Sequence, residues 1–314
     1  MGFWDSKRVL VTGGNGFLGR WVCRELVKAG VEIDNIIIPS SKNCDLRIFA
    51  NCLKETDGAD IVLHLAGRDG GLGYNREHPG SIFYDNAVMN IQMMEAARIS
   101  GVDKMIIAGS VCSYPESAVI PLNENDLWKG YPNQDNAGYC LAKKISLVQA
   151  EAYKKEYGFS SVNLLLTNMY GPGDIFTPEK SRVAASMIRK FFEAKKADVV
   201  SVVMWGTGNA TRELLYVEDA ARAFVLAAEK CDSVKPINIG SGVETSMREL
   251  AETVADVVGY EGEIIWDLTK PEGQMRRCSD VSRAYEEFGF KAGVCLREGV
   301  EKTVEWYSSL ISCI

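Results

Sequence analysis

The first 29 residues constrain the fold of this 314-residue chain more than any other segment. The apolar run Arg8–Thr12 is typical of a buried strand, and Gly19–Ala29 carries apolar residues at helical spacing. Between them lie three regularly spaced glycines, Gly13, Gly16 and Gly19. A glycine-rich turn between a strand and a helix lets backbone amides approach a pyrophosphate at the helix N-terminus. The segment therefore predicts a dinucleotide site rather than a turn that needs glycine only for steric reasons.

Short apolar runs alternate with amphipathic stretches through the first half of the chain. The predicted strands are Arg8–Thr12, Asn35–Ile38, Ile61–Ala66, Met105–Ala108 and Val162–Leu166, and the predicted helices are Gly19–Ala29, Asn86–Ile99 and Tyr139–Tyr157. Such alternation indicates βαβ units, and we predict an α/β fold with a Rossmann-type, doubly wound parallel sheet.

The pattern loosens after about residue 172. The predicted helices there are Arg182–Ala194, Val217–Ala228 and Ser246–Val258, the last capped by Thr245 or Ser246, and the predicted strands are Val199–Trp205 and Ile237–Ile239. We predict a dinucleotide-binding domain over residues 1–172 and a smaller, mainly sugar-nucleotide-binding lobe over 173–314. Segments around 200–240 are expected to return to the first domain.

Charge and hydropathy exclude several partners. Lys and Arg number 35 against 42 Asp and Glu, which gives a net charge of −7. That balance argues against a nucleic-acid or anionic-membrane partner, although it is compatible with a local basic pocket for a phosphorylated ligand. No apolar stretch approaches the roughly 20 residues that span a bilayer. The segment Met1–Val11 is too short, and too charged before its apolar run, for a signal peptide.

Histidine and cysteine usage limits the chemistry. The two histidines, His64 and His78, are too few for a His-rich zinc site or a histidine relay, and we predict no metal site. We expect His64 to be structural at a strand end and His78 to lie in a loop. The nine cysteines are scattered and form no CxxC pair, which suits reduced thiols. We therefore expect a cytoplasmic globular protein.

The loop after the second predicted strand indicates which dinucleotide is bound. An NAD site usually places Asp or Glu there to hold the ribose hydroxyls. This chain instead has Ser40, Ser41 and Lys42, which suit a 2′-phosphate, so we predict NADP(H). Asp45 is expected to serve the adenine or to cap a turn. The full predicted cofactor set is Gly13, Asn15, Gly16, Phe17, Leu18, Gly19, Ser40, Ser41, Lys42, Asp45, Leu46, Leu65, Ala66, Gly67, Tyr139 and Lys143.

A tyrosine and a lysine suggest acid–base chemistry. Tyr139 and Lys143 are four residues apart, so they share one face of a predicted helix. A free tyrosine has a pKa near 10, and an adjacent ammonium is expected to lower it and to hold the nicotinamide ribose. Ser110 follows a predicted strand and would donate a hydrogen bond to a substrate carbonyl oxygen. Together the three predict a carbonyl reductase centre.

These features resemble the extended short-chain dehydrogenase/reductase superfamily. Within it, the chain is similar to the GDP-L-fucose synthase branch over nearly its whole length. The matching stretches are HLAGRDGGLGYN (64–75), GSVCSYP (109–115), YCLAKK (139–144), TNMYGPGD (167–174), WGTGNATRELLYVEDAARA (205–223), NIGSG (238–242) and KPEGQMRR (270–277). They follow the order of the family and nearly its spacing.

The resemblance implies a two-lobed enzyme with a sugar nucleotide between the lobes, NADPH as reductant and a homodimer. It implies that Cys112 removes protons from the carbons flanking a 4-ketone. In the family a histidine after a TPxxS segment returns protons from the opposite face, but Arg182 stands at that place here. The predicted substrate residues are Asn168, Arg182, Arg189, Trp205, Arg212, Arg276 and Arg277.

The sequence thus predicts NADPH-dependent reduction of a nucleotide-linked, most simply GDP-linked, 4-keto-6-deoxysugar at C4. An arginine side chain cannot exchange protons at neutral pH. Arg182 therefore places epimerisation at C3 or C5 in doubt, and a related deoxysugar or heptose nucleotide is an alternative substrate.

Three other functions are alternatives for a chain with this fold. A redox-neutral sugar-nucleotide 4-epimerase would retain bound NAD tightly. A 4,6-dehydratase is disfavoured because the Thr-Asp-Glu segment expected after the motif serine is absent from Ser110–Pro115. A non-catalytic NADP-binding regulatory protein is the third alternative, and the set of Ser110, Tyr139 and Lys143 argues against it.

Overall fold

The computed structural model describes residues 2–178, 180–270 and 273–312. In chain order its strands are β1 (Val9–Thr12), β2 (Ile36–Ile37), β3 (Ile61–His64), β4 (Lys104–Ser110), β5 (Ser160–Leu166), β6 (Asn168–Tyr170), β7 (Ser201–Trp205), β8 (Thr211–Tyr216), β9 (Ile237–Ile239), β10 (Glu244–Ser246) and β11 (Glu263–Asp267). Its α-helices are α1 (Phe17–Lys28), α2 (Phe49–Thr56), α3 (Gly71–Glu77), α4 (Pro79–Ile99), α5 (Ala137–Tyr157), α6 (Val183–Lys196), α7 (Val217–Lys230), α8 (Met247–Val258), α9 (Ser282–Phe288) and α10 (Leu296–Ser312).

A parallel β-sheet forms the centre of the first lobe. Among the described residues, its strands follow the order β2-β1-β3-β4-β5-β9, and every neighbouring pair is parallel. Strands β1, β3 and β4 are buried along their whole length. Parallel strands need covering on both faces, which explains their continuous apolar runs.

Helices cover both faces of this sheet. On one face α1 packs against α7, and their apolar sides join a core that includes Leu26, Val22 and Phe224. On the other face α4 packs against α5 and α2, over a core that includes Met93 and Met105. The prediction of a doubly wound α/β fold is therefore confirmed.

The second lobe contains α6, α8 and α10 and two small sheets. Its core includes Phe191, Leu250 and Val300. One sheet has the order β10-β8-β6, and the other is the parallel pair β7 and β11. Although α7 and β9 follow part of this lobe in sequence, both pack with the first lobe.

Several element boundaries differ from the predicted ones. Helix α4 begins at Pro79 rather than Asn86, and proline suits the first turn because its missing N–H would be unpaired there. The predicted cap of α8 is Ser246, whose hydroxyl accepts a hydrogen bond from the Glu249 amide at 3.0 Å. The sequence patterns missed α2, α3, α9 and α10 and strands β6, β8, β10 and β11. None of the helices in the described ranges is long and apolar enough to cross a membrane.

Candidate active site

A cleft of about 1900 Å³ lies at the carboxyl edge of the parallel sheet. Ligands of open α/β sheets bind at this edge, where the loops that follow the strands converge. The cleft is lined by the loops after β1, β2, β3 and β4, by the start of α5 and by side chains of the second lobe. The predicted cofactor residues all line it, as do Ser110, Cys112, Asn168, Arg182, Arg212 and Arg277.

In the glycine loop after β1, the backbone packs closely against itself and against the neighbouring loop. The Gly16 amide donates to the Gly13 carbonyl at 2.9 Å, and a Cβ at Gly19 would lie 2.2 Å from that same oxygen. Gly13 has a φ of +72°, and a Cβ there would lie 2.9 Å from the Ala66 amide. Helix α1 begins after Gly16 with no side-chain cap, so its first amides are available to an anion. The loop therefore fits a pyrophosphate.

Ser110, Tyr139 and Lys143 line one cleft. Ser110 is the last residue of β4, and its hydroxyl accepts a hydrogen bond from the Cys112 amide at 3.2 Å. Tyr139 and Lys143 lie in the first two turns of α5. The ammonium of Lys143 is buried and donates to the Ala108 carbonyl at 2.9 Å, which fixes it beside β4.

Burial sets the protonation of the tyrosine and the lysine. Burial lowers the pKa of Lys143 to about 8, with Asp69 opposing the change. Burial also raises the pKa of Tyr139 above its ordinary value; Asp69 and Cys112 raise it further, and Arg182 lowers it. The expectation that an adjacent ammonium would hold the pKa of Tyr139 below 10 is therefore wrong for this structure, because the loss of hydration outweighs the effect of Arg182.

His64 ties the sheet to the helices behind the cleft. It is fully buried, and its Nδ1 lies 2.8 Å from the Thr12 hydroxyl, while Nε2 lies 3.1 Å from Asn90 Oδ1. Burial lowers the pKa of His64 to about 3, so the ring is neutral at physiological pH. These contacts support the structural role expected from the sequence. His78 lies between α3 and α4, with its ring centroid 4.3 Å from that of Tyr74.

Cys112 faces an arginine. It is half-buried in the short turn after β4, and the Nη1 group of Arg277 donates to its sulfur at 3.3 Å. A second arginine, Arg212, is fixed through Nη1 to the backbone carbonyls of Thr211 and Gln274 at 2.7 and 2.6 Å. Burial and the neighbouring Arg277 both lower the pKa of Arg212. This wall of the cleft is therefore cationic.

The buried residue Glu213 holds together the segments that carry Arg212 and Arg277. Glu213 follows Arg212 on β8 and is fully buried. Its carboxylate accepts hydrogen bonds from the amides of Gly242 at 2.7 Å and Ser279 at 3.0 Å, and the Glu213 amide donates to the Arg277 carbonyl at 3.0 Å. Burial raises the pKa of Glu213. The segment with Arg277 is thus held beside the strand that carries Arg212.

Arg182 lies between the glycine loop and the second lobe. Its Nη1 group is 3.1 Å from Asp174 Oδ1, and its guanidinium carbon is 5.8 Å from the centre of the Phe17 ring. Asp174 is buried, which raises its pKa, and Arg182 opposes that effect. Among the described residues, the second oxygen of Asp174 has no hydrogen-bond partner.

Three predicted substrate residues lie outside the lining of this cleft. Arg189 pairs with Glu193 within α6 at 3.1 Å. Trp205 ends β7 with 63% of its surface exposed, and Arg276 pairs with Glu244. Glu179, Pro271, Glu272 and Cys313, which belong to the quoted motifs or to the cysteine set, lie outside the described residues. The cysteines of the described part are all free thiols.

Sequence reasoning missed several charged residues of the cleft, and four of them lie beside the predicted cofactor residues. Arg47, Arg68, Asp69 and Asp85 all line it. Arg47, Arg68 and Asp69 lie in the loops after β2 and β3, which also carry predicted cofactor residues. Including every charged residue of those loops in the prediction would have found them. Asp85 gave no signal, because it is a single acidic residue within a long helix.

Comparison with known proteins agrees with this geometry. Residues 9–240 match the model of the NAD dependent epimerase/dehydratase family. The chain is 34% identical over 304 residues to GDP-L-fucose synthase 1 of Arabidopsis thaliana, an overlap of 96% of this chain and 93% of the relative.

Two solved structures extend the comparison. A GDP-L-fucose synthetase of Naegleria fowleri superposes with a TM-score of 0.90 at 25% identity, over 99% of this chain and 96% of that one. A GDP-mannoheptose C4 reductase of Campylobacter jejuni, solved with NADP bound, gives a TM-score of 0.88 at 25% identity, over 98% and 100%. The chain therefore belongs to the NAD dependent epimerase/dehydratase family, in its GDP-L-fucose synthase branch.

Proposed function

We propose that this protein reduces the C4 carbonyl of a GDP-linked 4-keto-6-deoxysugar or of a closely related GDP-linked 4-keto sugar. The observation that carries the proposal is the placement of Ser110, Tyr139 and Lys143 on the cleft that the glycine loop enters. The relatives add support, because a GDP-linked sugar appears in the names of both the fucose synthases and the heptose reductase.

NADP(H) is the cofactor. The free amides at the start of α1 suit its pyrophosphate, and the loop can pack this tightly against the helix only with glycine at position 19, because a Cβ there would lie 2.2 Å from the Gly13 carbonyl oxygen. The Lys143 ammonium lies against the loop after β3, which also lines the cofactor cleft. A Cβ added at Gly67 in that loop would lie 3.3 Å from Lys143 Nζ. When bound, NADPH supplies the hydride for reduction of a ketone.

The three side chains supply the remaining chemistry. Tyr139, whose pKa is raised by burial, is a neutral phenol at pH 7 and can donate its proton to the developing alkoxide. The Ser110 hydroxyl accepts from the Cys112 amide, so its own proton is free to bind the substrate oxygen. Lys143, with a pKa of about 8, is mostly protonated at neutral pH and stabilises negative charge beside Tyr139.

The proposal excludes epimerisation at C3 and C5. Epimerisation needs one group that removes a proton from carbon and another that returns a proton to the opposite face. Cys112 can act as the first, but Arg182 holds its protons too tightly to act as the second. Arg182 is also fixed to Asp174, so it can bind an anion or a sugar hydroxyl without taking part in proton transfer.

The decisive experiment is incubation with NADPH and GDP-4-keto-6-deoxymannose in deuterated water, with the product analysed by NMR. We expect oxidation of NADPH and reduction at C4, with no deuterium at C3 or C5 beyond an enzyme-free control. Deuterium at both carbons would contradict the exclusion of epimerisation. Isomerisation of the sugar without net consumption of NADPH would favour the redox-neutral 4-epimerase.

We further propose that the protein is a cytoplasmic homodimer that pairs through α4 and α5. These helices pack side by side and together expose Phe83, Tyr84, Ile91 and Val148. A second copy of the same pair would cover these apolar side chains in a symmetric contact. Light scattering should give twice the mass of the chain, and Ile91→Asp should give a folded monomer. A wild-type monomer at micromolar concentration would contradict the proposal.

A further inference from the structure

A hydrogen-bonded bridge joins the loop after β3 to the start of helix α5. Its centre is Asn75 of helix α3, which is 3% exposed and lines the cleft. The side-chain amide of Asn75 donates to Asp69 Oδ1 and to Asn136 Oδ1, both at 3.0 Å. Its oxygen accepts a hydrogen bond from the Gly70 amide at 3.3 Å. Both N–H groups and the oxygen are therefore used, which fixes the orientation of this amide.

The two ends of the bridge depend on Asn75 for their positions. At one end, Asp69 Oδ1 also accepts from the Gly71 amide at 3.0 Å, so this carboxylate oxygen is held by two donors. At the other end, Asn136 is the residue before α5, where an asparagine usually caps the first free amides of a helix. The Asn136 side chain makes no such cap and is bonded to Asn75 instead. The start of α5 is thus tied to the loop after β3.

The bridged carboxylate acts on the two titratable residues of the reductase centre. Tyr139 and Lys143 lie in the first two turns of α5. After burial, Asp69 has the largest effect on the pKa of each residue, and it raises both. The other titratable groups that act on this pair are Cys112, Cys140, Arg182 and the neutral His64. Asp69 is therefore the negative charge that both residues share.

We propose that Asn75 is a positioning residue for the reduction, because it holds the Asp69 carboxylate and the start of α5 in one fixed arrangement. Asp69 then presents its negative charge to Lys143 and Tyr139 from a constant position. That charge favours the protonated form of both groups, and protonated Tyr139 is the proton donor of the proposed reaction. The role in reduction rests on the proposed function, whereas the effect on Lys143 can be measured without any sugar.

The first measurement is an NMR titration of the whole protein with ¹³Cε-labelled lysine. The resonance that is absent from Lys143→Met identifies Lys143, and its wild-type midpoint is expected near pH 8. Asp69→Asn should lower this midpoint by about 0.5 to 1 in pH, because the charge that favours the ammonium is removed. Asn75→Ala should lower it in the same direction, since Asp69 is then free to turn toward solvent. In the Asp69→Asn background, Asn75→Ala should add no further change.

The second measurement is turnover. Asn75→Ala should lower kcat for NADPH-dependent reduction about 10-fold, because a small displacement of the proton donor slows the reaction, and the Kd of NADPH should stay within about twofold. Asn136→Ala breaks the same bridge from its other end and should act alike, so it replaces Asn75→Ala if that variant does not fold. Asn123→Ala is the matched control, since Asn123 also binds a carboxylate, that of Asp280 at 3.0 Å, but lies outside the cleft lining.

Two results would overturn the proposal. If Asn75→Ala leaves the Lys143 midpoint and kcat at the values of Asn123→Ala, then Asn75 does not position these groups. If Asn75→Ala changes the midpoint equally with and without Asp69→Asn, then it acts on Lys143 by a route other than Asp69. Failure of the proposed function would be distinct, because the wild type would then show no turnover while the NMR titrations still followed the expected order.

Discussion

The two walls of the cleft are built in different ways. The cofactor wall is formed by the loops that follow neighbouring parallel strands and by the start of α5, and short sequence motifs identify most of it. The opposite wall, which we propose binds substrate and call the substrate wall, consists of side chains from distant segments, among them Asn168, Arg182, Arg212 and Arg277, and Glu213 holds two of these segments together. The difference teaches that a dinucleotide site can be recognised from a few short motifs, whereas the proposed sugar site depends on long-range packing.

The largest expected effect is the loss of turnover on substitution of Tyr139. Tyr139→Phe removes the proton donor, and kcat for reduction should fall about 10²- to 10⁴-fold. The dissociation constant of NADPH should change less than about threefold, because the pyrophosphate contacts stay intact. Steady-state assays of NADPH oxidation and fluorescence titration measure the two quantities. Unchanged turnover would eliminate Tyr139 as the acid.

A glycine substitution tests the cofactor wall. Gly19→Ala would place a Cβ 2.2 Å from the Gly13 carbonyl oxygen, so the loop must open. We expect NADPH affinity to fall about 100-fold or more, as measured by titration. Gly80→Ala is the matched control, because a Cβ there meets nothing within 4 Å and Gly80 lies in helix α4. Retained affinity in Gly19→Ala would show that the cofactor does not need this close approach.

A pair of adjacent arginines tests the substrate wall. Arg277→Gln should raise KM for the sugar nucleotide about 10-fold, because a charged group that lines the cleft is removed. NADPH affinity should stay within about twofold. Arg276→Gln should have a smaller effect on KM, since Arg276 is paired with Glu244 outside the cleft lining. Equal effects on KM would favour the sequence-based prediction that both arginines bind substrate.

The smallest expected effect is on stability. Lys143→Met removes a buried ammonium whose pKa is lowered to about 8 by burial, and the variant should be more stable at pH 7 by about 1–3 kcal/mol. Between pH 8 and 10.5 the unfolded lysine binds a proton that the folded one has lost, so the wild type gains stability as pH rises. The advantage of the variant should therefore shrink above pH 8. Denaturant unfolding at pH 7 and 9.5 measures this; an advantage that grows with pH would contradict it.

The sequence predicted the sheet, the glycine loop and the common location of Ser110, Tyr139 and Lys143, because each depends on short-range patterns. It predicted the pKa of Tyr139 in the wrong direction, because spacing reveals a neighbouring charge but not how deeply a group is buried. It also missed the ion pairs of Asp85, whose partners Arg47 and Arg68 come from two other loops. Contacts between distant segments leave no periodicity in the sequence.

If Arg182, paired with Asp174, leaves this protein without epimerase activity as proposed, another enzyme must set the configuration of the sugar. A reductase that cannot return a proton to carbon must accept the configuration at C3 and C5 that its substrate already has. Stereochemistry at those carbons would then be inherited from the reaction that makes the 4-ketone, or set by a separate isomerase before the sugar arrives. A single side chain in this cleft would thus decide whether one protein or two are needed to complete the sugar.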